Sequence, residues 1–242
     1  FRRVLFRSAL EHAIELAQAG EIQALVTGPV RKSVLRDRQG KIYSGQTEFL
    51  QEYLSIDGKP ALMAFMGGPF VLGLATVHVP IREVARVLTP ELLTQKLERL
   101  IEGSARMLGK TSKAVQVTVL GLNPHAGEGG LIGDEEIRVI APVVEQFQRM
   151  GYSVRGPVAA DGFWGHMPEH TDAVMAMMHD QGLGPYKLLS QGEAVNVTFG
   201  LKILRTSPAH GTADDLVGTG KASPASLVKA LRLASSIAEL ES

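Results

Sequence analysis

Apolar residues fall into two kinds of run along this chain. Short runs that are apolar throughout lie at residues 22–27 (IQALVT), in both halves of 61–80, and at 115–122, 173–178, 194–199 and 203–206. Longer runs, with apolar residues three or four positions apart, lie at 9–17, 46–54, 93–108, 134–150 and 224–240. The short runs predict buried strands, and the longer ones predict helices that cover them. This alternation predicts the α/β class with a mostly parallel sheet.

Specific residues mark the ends of several predicted helices. Thr89-Pro90-Glu91 provides an N-cap, a proline at the first helical position and an acid in the first turn. Gly151 is the expected end of the helix over 134–150. A further helical stretch is expected after Gly28-Pro29.

Residues 61–80 carry no Asp, Glu, Lys or Arg, which meets the length criterion for a membrane helix. However, Gly67-Gly68-Pro69 lies near the middle of this segment and is typical of a turn. We therefore expect two buried strands joined by a turn, and no membrane segment.

Composition narrows the class of protein further. The 242 residues include 25 Lys and Arg and 25 Asp and Glu, so the formal net charge is zero. A neutral chain is a poor candidate for a nucleic-acid-binding protein, which needs an excess of cations. The absence of cysteine excludes disulfides, thiolate metal ligands and a cysteine nucleophile. A cytoplasmic enzyme is the expectation, with a truncated or fused segment before the helix that starts near Ala9.

Three of the seven histidines share one sequence context. His78, His125 and His179 each lie at or just beyond the end of a predicted strand. Ligands of open α/β sheets bind at the carboxyl ends of the strands, so these imidazoles could converge on one divalent cation. The alternative is that each ring only binds loop backbone. His166 and His170 are four residues apart, but Pro168 between them favours a loop over a helical ligand pair.

Two glycine-rich segments are candidate ligand loops. Residues 121–130 (GLNPHAGEGG) follow a predicted strand, and their backbone N–H groups could approach an anion. Residues 210–221 (HGTADDLVGTGK) combine three glycines with two acids. This second segment is either a turn-rich surface loop or a nucleotide loop in which a carboxylate accepts hydrogen bonds from ribose hydroxyls.

Together these strings resemble the 4-hydroxythreonine-4-phosphate dehydrogenase family, the PdxA family of pyridoxal phosphate biosynthesis. The matching strings are TGP at 27–29, G-x-TEFL at 45–50, GLNPHAGEGG at 121–130, HDQG at 179–182, AVN-x-T-x-G at 194–200, and RTS-x-x-HGTA-x-D with GTGKA over 205–222. They occur in the family's order over nearly the whole chain. The resemblance implies that the family's first strand–helix unit would lie before residue 1, in agreement with the truncation expected above.

The resemblance implies a fold and an activity. The fold would be a single dehydrogenase domain over residues 1–242, built of two interleaved α/β lobes similar to isocitrate and isopropylmalate dehydrogenases, in a homodimer. The activity would be an NAD-dependent oxidation (NADP is an alternative) of 4-phosphohydroxy-L-threonine to a β-keto acid that loses CO2. A divalent metal (Zn, Mg or Co) would assist the oxidation.

The resemblance also implies roles for individual residues. His78, His125 and His179 match the family's metal ligands, the last from the partner subunit. The implied substrate contacts are Gln46, Thr47, Lys187, Asn196 and Arg205. The implied cofactor contacts are His210, Gly211, Thr212 and Asp215. Lys187, Asp180 and Asp161 are the implied catalytic groups near the metal.

One departure from the family pattern concerns the substrate. The family's phosphate-binding pair is His-Thr, whereas this chain has Gln46-Thr47. A glutamine carries no charge, so dehydrogenases of D-threonate or D-erythronate 4-phosphate, or of a cyclic dihydrodiol, are alternatives. A metal-dependent hydrolase or lyase that needs no NAD, and an inactive remnant, are alternatives from other classes.

Overall fold

The structure is a computed structural model that describes residues 2–30, 35, 41–43 and 45–240. The described residues divide into two compact units. The first is drawn from Phe1–Ala61 and Glu193–Ser242, and the second is Leu62–Gly192. The helical stretch expected after Gly28-Pro29 lies mostly outside the described residues. No helix in the described part of the chain is long and apolar enough to cross a membrane.

The first unit contains three strands in the order β1-β8-β7. β1 (Ala24–Val26) runs parallel to β8 (Leu204–Pro208), which pairs antiparallel with β7 (Val195–Phe199). The helices are α1 (Arg2–Gln18), α2 (Gln46–Leu54) and α8 (Ala225–Leu240). α1 and α2 pack together around Ile14, Phe49 and Leu50, and α8 packs on β8.

The second unit has five strands in the order β2-β3-β6-β4-β5. They are β2 (Leu62–Met66), β3 (Val71–Leu74), β4 (Val117–Leu120), β5 (Val154–Val158) and β6 (Ala173–Ala176). β2 and β3 form an antiparallel hairpin, and the pairings β3·β6, β6·β4 and β4·β5 are parallel. The helices are α3 (Ile81–Val87), α4 (Pro90–Leu108), α5 (Ala141–Arg149), α6 (Ala160–Gly165) and α7 (His179–Ser190).

The predicted α/β class and the two strands within residues 61–80 are confirmed. Helix α4 is also confirmed, together with its cap. The Thr89 hydroxyl accepts a hydrogen bond from the N–H of Leu92 at 3.2 Å, and Gly109 closes the helix in the left-handed conformation, φ 63°. The face with Leu93, Leu97 and Leu100 is fully buried.

The helix predicted over 134–150 starts differently from the expectation. Glu136–Ile140 forms a π-helical turn, and a regular α-helix begins only at Ala141. Pro142 has no N–H to donate to the carbonyl of Arg138, which favours the wider turn. Strand β5 and helix α7 were not predicted, because β5 (VRGPV) contains Gly156 and Pro157 and α7 contains Gly182, Gly184 and Pro185.

Side-chain hydrogen bonds fix helix α7 against the β2–β3 hairpin. The Tyr186 hydroxyl accepts from the N–H of Gly68 at 2.9 Å and lies 2.9 Å from the carbonyl oxygen of Phe70. On the inner face of the helix, a Cβ on Gly182 would lie 2.7 Å from Cβ of Ala176. The helix that begins at His179 is therefore held close to the ends of β3 and β6.

Candidate metal centre and substrate residues

The three histidines of the predicted metal site follow three neighbouring parallel strands. His78 follows β3, His179 follows β6 and His125 follows β4, and these strands are adjacent in the order β3-β6-β4. All three residues therefore lie beyond the carboxyl ends of their strands, where open α/β sheets bind ligands. The rings of His78 and His179 have centroids 6.1 Å apart.

Hydrogen bonds join the segments that carry these histidines. The Thr76 hydroxyl, two residues before His78, donates to the carbonyl of Met177 at 2.7 Å. The amide of Gln181 accepts from the N–H of Met177 at 2.8 Å and donates to the carbonyl of Gly121 at 2.6 Å. The three strand ends are thus linked to one another by buried and half-buried polar contacts.

Two of the imidazoles have a carboxylate at Nδ1. Nδ1 of His179 lies 2.7 Å from Oδ1 of Asp180, and Nδ1 of His125 lies 3.2 Å from Oε2 of Glu128. A carboxylate at Nδ1 fixes the tautomer and directs Nε2 outward, as in carboxylate–histidine–metal triads. The donor set therefore fits a divalent cation that accepts imidazole nitrogen. In the described part of the chain, no group of three or more His, Asp or Glu side chains already has the geometry of a metal site.

The loop that carries His125 has an unusual backbone. All five residues from His125 to Gly129 have positive φ, between 46° and 78°, and His125, Ala126 and Glu128 are not glycines. Such residues cost about 1 to 2 kcal/mol each in this region, so the surroundings must hold the loop. The carboxylate of Glu136 does so, since its Oε1 accepts from the N–H groups of Leu122 and Asn123 at 2.7 Å.

The other predicted catalytic residues of this unit lie on helices. Asp180 is in the first turn of α7, and Lys187 is exposed seven residues later, two turns along the same face and about 10 Å away. Asp161 is exposed in the first turn of α6. Asp180 and Asp161 are within four residues of a strand end, and within the described residues no hydrogen bond joins any two of these three side chains.

In the first unit, the predicted substrate residues gather around Arg205. Arg205 is 3% exposed, and its guanidinium donates to Oγ1 of Thr27 through Nη2 at 2.7 Å and Nε at 3.1 Å. Nη1 donates to the Thr198 hydroxyl at 3.3 Å, and Nη2 to Oε1 of Gln46 at 3.3 Å. Burial lowers the pKa of Arg205 to about 10, and the charge of Glu48 opposes that shift. The side chain remains a cation at neutral pH.

Gln46 is oriented by its two hydrogen bonds. Its Oε1 accepts from Arg205, so its amide nitrogen is the group that donates, one N–H going to the carbonyl of Gly28 at 3.0 Å. Thr47 is 7% exposed beside it at the start of α2. Asn196 lies on β7, and its Oδ1 is buried with no hydrogen-bond partner in the described part of the chain. An unpartnered buried oxygen suits a residue whose partner is a ligand donor.

The predicted nucleotide residues lie in a loop after β8. His210, Gly211 and Asp215 are exposed, and Thr212 is half-buried. Nδ1 of His210 lies 2.8 Å from the carbonyl oxygen of Gly211. The loop thus presents a carboxylate and an imidazole to solvent, which fits a ribose or a phosphate.

Sequence reasoning missed the residues that position the predicted ones. Thr76, Gln181 and Glu136 tie the histidine segments together, and Thr27 and Thr198 hold Arg205. Three of these residues lie within matched strings, since Thr27 belongs to TGP, Gln181 to HDQG and Thr198 to AVN-x-T-x-G. Their roles depend on contacts between distant segments, which spacing along the chain does not reveal.

Comparison with known proteins agrees with the family resemblance found from the sequence motifs. The chain is 42% identical over 227 residues to a 4-hydroxythreonine-4-phosphate dehydrogenase of Bacteroides thetaiotaomicron, a match that covers 93% of this chain and 61% of that protein. The chain therefore spans less than two thirds of that relative's length.

Solved structures give the same result. The crystal structure of 4-hydroxythreonine-4-phosphate dehydrogenase from Klebsiella pneumoniae matches with a TM-score of 0.79 and 35% identity, over 95% of this chain and 69% of that one. A terephthalate 1,2-cis-dihydrodiol dehydrogenase from Burkholderia xenovorans matches with a TM-score of 0.67 and 28% identity, over 92% and 69%. The sequence profile of the family described as pyridoxal phosphate biosynthetic protein PdxA matches residues 4–234. The chain belongs to this PdxA family.

Proposed function

We propose that this protein is a nicotinamide- and metal-dependent dehydrogenase that oxidises 4-phosphohydroxy-L-threonine to a β-keto acid, which then loses CO2. The observation that carries the proposal is the linkage of the three histidine-bearing strand ends through Thr76, Met177, Gln181 and Gly121. The relatives named as 4-hydroxythreonine-4-phosphate dehydrogenases support it.

Nε2 atoms of His78, His125 and His179 are the proposed ligands of the cation. Imidazole nitrogen suits Zn²⁺ and Co²⁺ better than Mg²⁺, which prefers oxygen. Asp180 and Glu128 hold the Nδ1 atoms of two of these rings and so keep Nε2 available. A divalent cation bound here would supply Lewis acidity at the substrate alcohol and at the ketone derived from it.

The substrate's anionic end is assigned to the first unit. Gln46 donates from its amide nitrogen, Thr47 adds a hydroxyl, and Arg205 supplies the positive charge behind them. Asn196, with its buried and unpartnered Oδ1, is proposed to accept from a substrate hydroxyl or ammonium group. Lys187 is proposed to bind a substrate carboxylate or phosphate and to transfer a proton at its Nζ.

The nicotinamide cofactor is assigned to the loop that begins at His210. Asp215 would accept hydrogen bonds from ribose hydroxyls, which favours NAD over NADP because a 2′-phosphate would meet that carboxylate. His210, Gly211 and Thr212 would contact the rest of the nucleotide. A nicotinamide cofactor bound here would supply the hydride acceptor, and this loop would orient it. A cytoplasmic location, where this cofactor is abundant, remains a prediction.

The direct test is turnover of 4-phosphohydroxy-L-threonine with NAD, followed as NADH absorbance. We expect EDTA to remove the activity and Zn²⁺ or Co²⁺ to restore it. Full activity of metal-free protein would contradict the three-histidine centre. The same assay tests whether Asp180 or Asp161 accepts a proton, with the variants Asp180→Asn and Asp161→Asn. Removal of a proton acceptor should lower kcat more than it changes KM.

A second candidate substrate is unphosphorylated. The uncharged Gln46 and the similarity to a terephthalate dihydrodiol dehydrogenase favour a cis-dihydrodiol. D-Threonate 4-phosphate, D-erythronate 4-phosphate and a cis-dihydrodiol therefore belong beside the first substrate in the assay. NAD-dependent turnover of any of them separates a dehydrogenase from a metal hydrolase or lyase, which releases product without NAD.

A homodimer with a shared site is proposed from the family resemblance, with His179 supplied by the partner subunit. Mixing His78→Ala with His179→Ala chains should then restore partial activity, because one site in each mixed dimer keeps all its ligands. Within one chain, the ring centroids of His78 and His179 are 6.1 Å apart, and this supports the alternative, a cation site built by a single chain. No recovery in proven mixed dimers would mean that each chain builds its own site.

A further inference from the structure

An open cavity of about 290 Å³ lies at the end of the second unit's sheet away from the histidines. Residues 116–118 and 152–155, at the amino-terminal ends of β4 and β5, line it together with His170. His125 follows the other end of β4, so the length of a four-residue strand, about 13 Å, separates this cavity from the candidate metal centre. The cavity is therefore a separate feature.

Arg155 supplies positive charge at this cavity. Its Nε donates to the Thr118 hydroxyl at 2.8 Å, and its Nη2 lies 3.4 Å from the Thr171 hydroxyl. These neutral hydroxyls hold the guanidinium plane in place. Within the described part of the chain, no carboxylate forms an ion pair with Arg155, so its charge is not neutralised by the protein. Arg155 lines the cavity, and its Nη1 is left as a further donor.

Other groups around the cavity are donors or are already paired. Tyr152, Ser153 and His170, whose side chains carry hydroxyl or imidazole donors, line it. The Lys113 ammonium lies nearby, 3.5 Å from the position of a Cβ on Gly151. The acid beside the cavity, Asp172, is engaged by the Lys110 ammonium at 2.7 Å and by the N–H of Gln116 at 2.9 Å. Glu169 is exposed next to His170 in sequence.

We propose that this cavity binds a small phosphate-bearing molecule, as free phosphate or a phosphate ester. A fixed guanidinium with hydroxyl and imidazole donors matches the several acceptor oxygens of a phosphate. The volume is at the lower end of the range for ligand sites, which accommodates a phosphate ester of a few carbons and excludes a dinucleotide. The binding site is independent of the proposed active site.

Tyr152 gives a local readout of binding. The full chain labelled with 3-fluorotyrosine has four ¹⁹F signals, one for each tyrosine, and Tyr152→Phe identifies the one from Tyr152. Titration with inorganic phosphate or glycerol 3-phosphate, at ionic strength held constant with NaCl, should shift this signal saturably. A lower Kd for glycerol 3-phosphate would identify an ester ligand, and equal or lower values for phosphate would identify the free anion.

Two matched variants separate the cavity from general charge effects. Arg155→Gln should raise the Kd about tenfold or more, as expected when a charge-assisted contact is lost. Arg149→Gln removes the same charge from an exposed helix position paired with Glu145 and should leave the Kd unchanged. Thr47→Ala, in the proposed substrate site, should also leave it unchanged.

Three results would overturn the proposal: no shift of the Tyr152 signal, a shift that is linear and unsaturated, or an unchanged Kd in Arg155→Gln. Ser153→Asp is a second variant for the case in which Arg155→Gln does not fold. Ser153 is exposed, so the added carboxylate should be tolerated while it repels phosphate. Undiminished binding by Ser153→Asp would equally contradict the proposal.

Discussion

The guanidinium of Arg205 binds a single hydroxyl oxygen, Oγ1 of Thr27, through two of its nitrogens, at 2.7 and 3.1 Å. Both residues are buried, and they come from β8 and from the residue that follows β1. The contact connects parts of the chain 178 residues apart. It therefore contributes to folding of the first unit as well as to placing a positive charge beside Gln46.

Thr27→Val should lower the free energy of unfolding by about 1.5 to 3 kcal/mol, because two donors of a buried cation lose their acceptor. Denaturant unfolding followed by circular dichroism measures this change. Thr198→Val is the matched control, since its hydroxyl accepts one bond at 3.3 Å, and it should cost less. Equal costs for the two variants would mean that the double contact has no special role.

Gln46→Glu should discriminate between substrates. The carboxylate keeps an acceptor for Arg205 but replaces the amide donor with negative charge, so it repels a phosphate. We expect KM for a phosphorylated substrate to rise about tenfold or more, with little change for an unphosphorylated diol. Equal changes in KM for both substrates would contradict a phosphate role for this residue.

Gln46→His gives a complementary pH test. Protonation of the new imidazole would favour phosphate, so any decrease in KM should be confined to pH values below about 6.5. The adjacent Arg205 cation disfavours that protonation and moves the effect to still lower pH. A decrease in KM that is the same at every pH would show that hydrogen bonding, not charge, is responsible.

Asp180→Asn and Glu128→Gln should each weaken cation binding about 10- to 100-fold without removing a ligand, because each carboxylate holds an imidazole at Nδ1. Titration of the purified chain with Co²⁺, followed by visible absorbance, measures the affinity. Asp134→Asn is the control, since that exposed carboxylate pairs with Arg138. An unchanged affinity for both test variants would exclude a positioning role.

Tyr186 should make stability depend on pH in alkaline solution. Burial raises the pKa of Tyr186 to about 12, while the N–H of Gly68 acts in the opposite direction. Between pH 10 and 12, the unfolded chain ionises this phenol and the folded chain does not. The free energy of unfolding should therefore fall by up to about 1.4 kcal/mol per pH unit in that window. Tyr186→Phe should have a shallower slope when the two proteins are compared by urea unfolding.

Much of the fold follows from local sequence signals. Helix α4 is predicted from its N-terminal signal, Thr89 and Pro90, and from its repeat of apolar residues. Helix α2 is predicted from the repeat of apolar residues over 46–54. Both signals lie within the helix or next to it in sequence. Strand β5 carries no such signal, because it contains Gly156 and Pro157, which its position at the edge of the sheet tolerates.

The candidate site was predictable only in part. The sequence showed that His78, His125 and His179 each follow a strand. Only the structure showed that these strands are neighbours, in the order β3-β6-β4. The left-handed backbone from His125 to Gly129 had little sequence signal beyond its glycines, since Ala126 and Glu128 are not residues that favour it. The role of Thr27 likewise depends on a partner 178 residues away.

The close approach at Gly182 has a consequence for sequence variation within the family. Any side chain here would meet Cβ of Ala176, which cannot rotate away, and methyl groups of Leu74 and Leu72 at 3.0 and 3.1 Å. Relief would require α7 to move outward from the strands, and His179 at its first turn would move with it. Gly182 is thus expected to be as intolerant of substitution as a residue that touches substrate, although it has no side chain with which to do so.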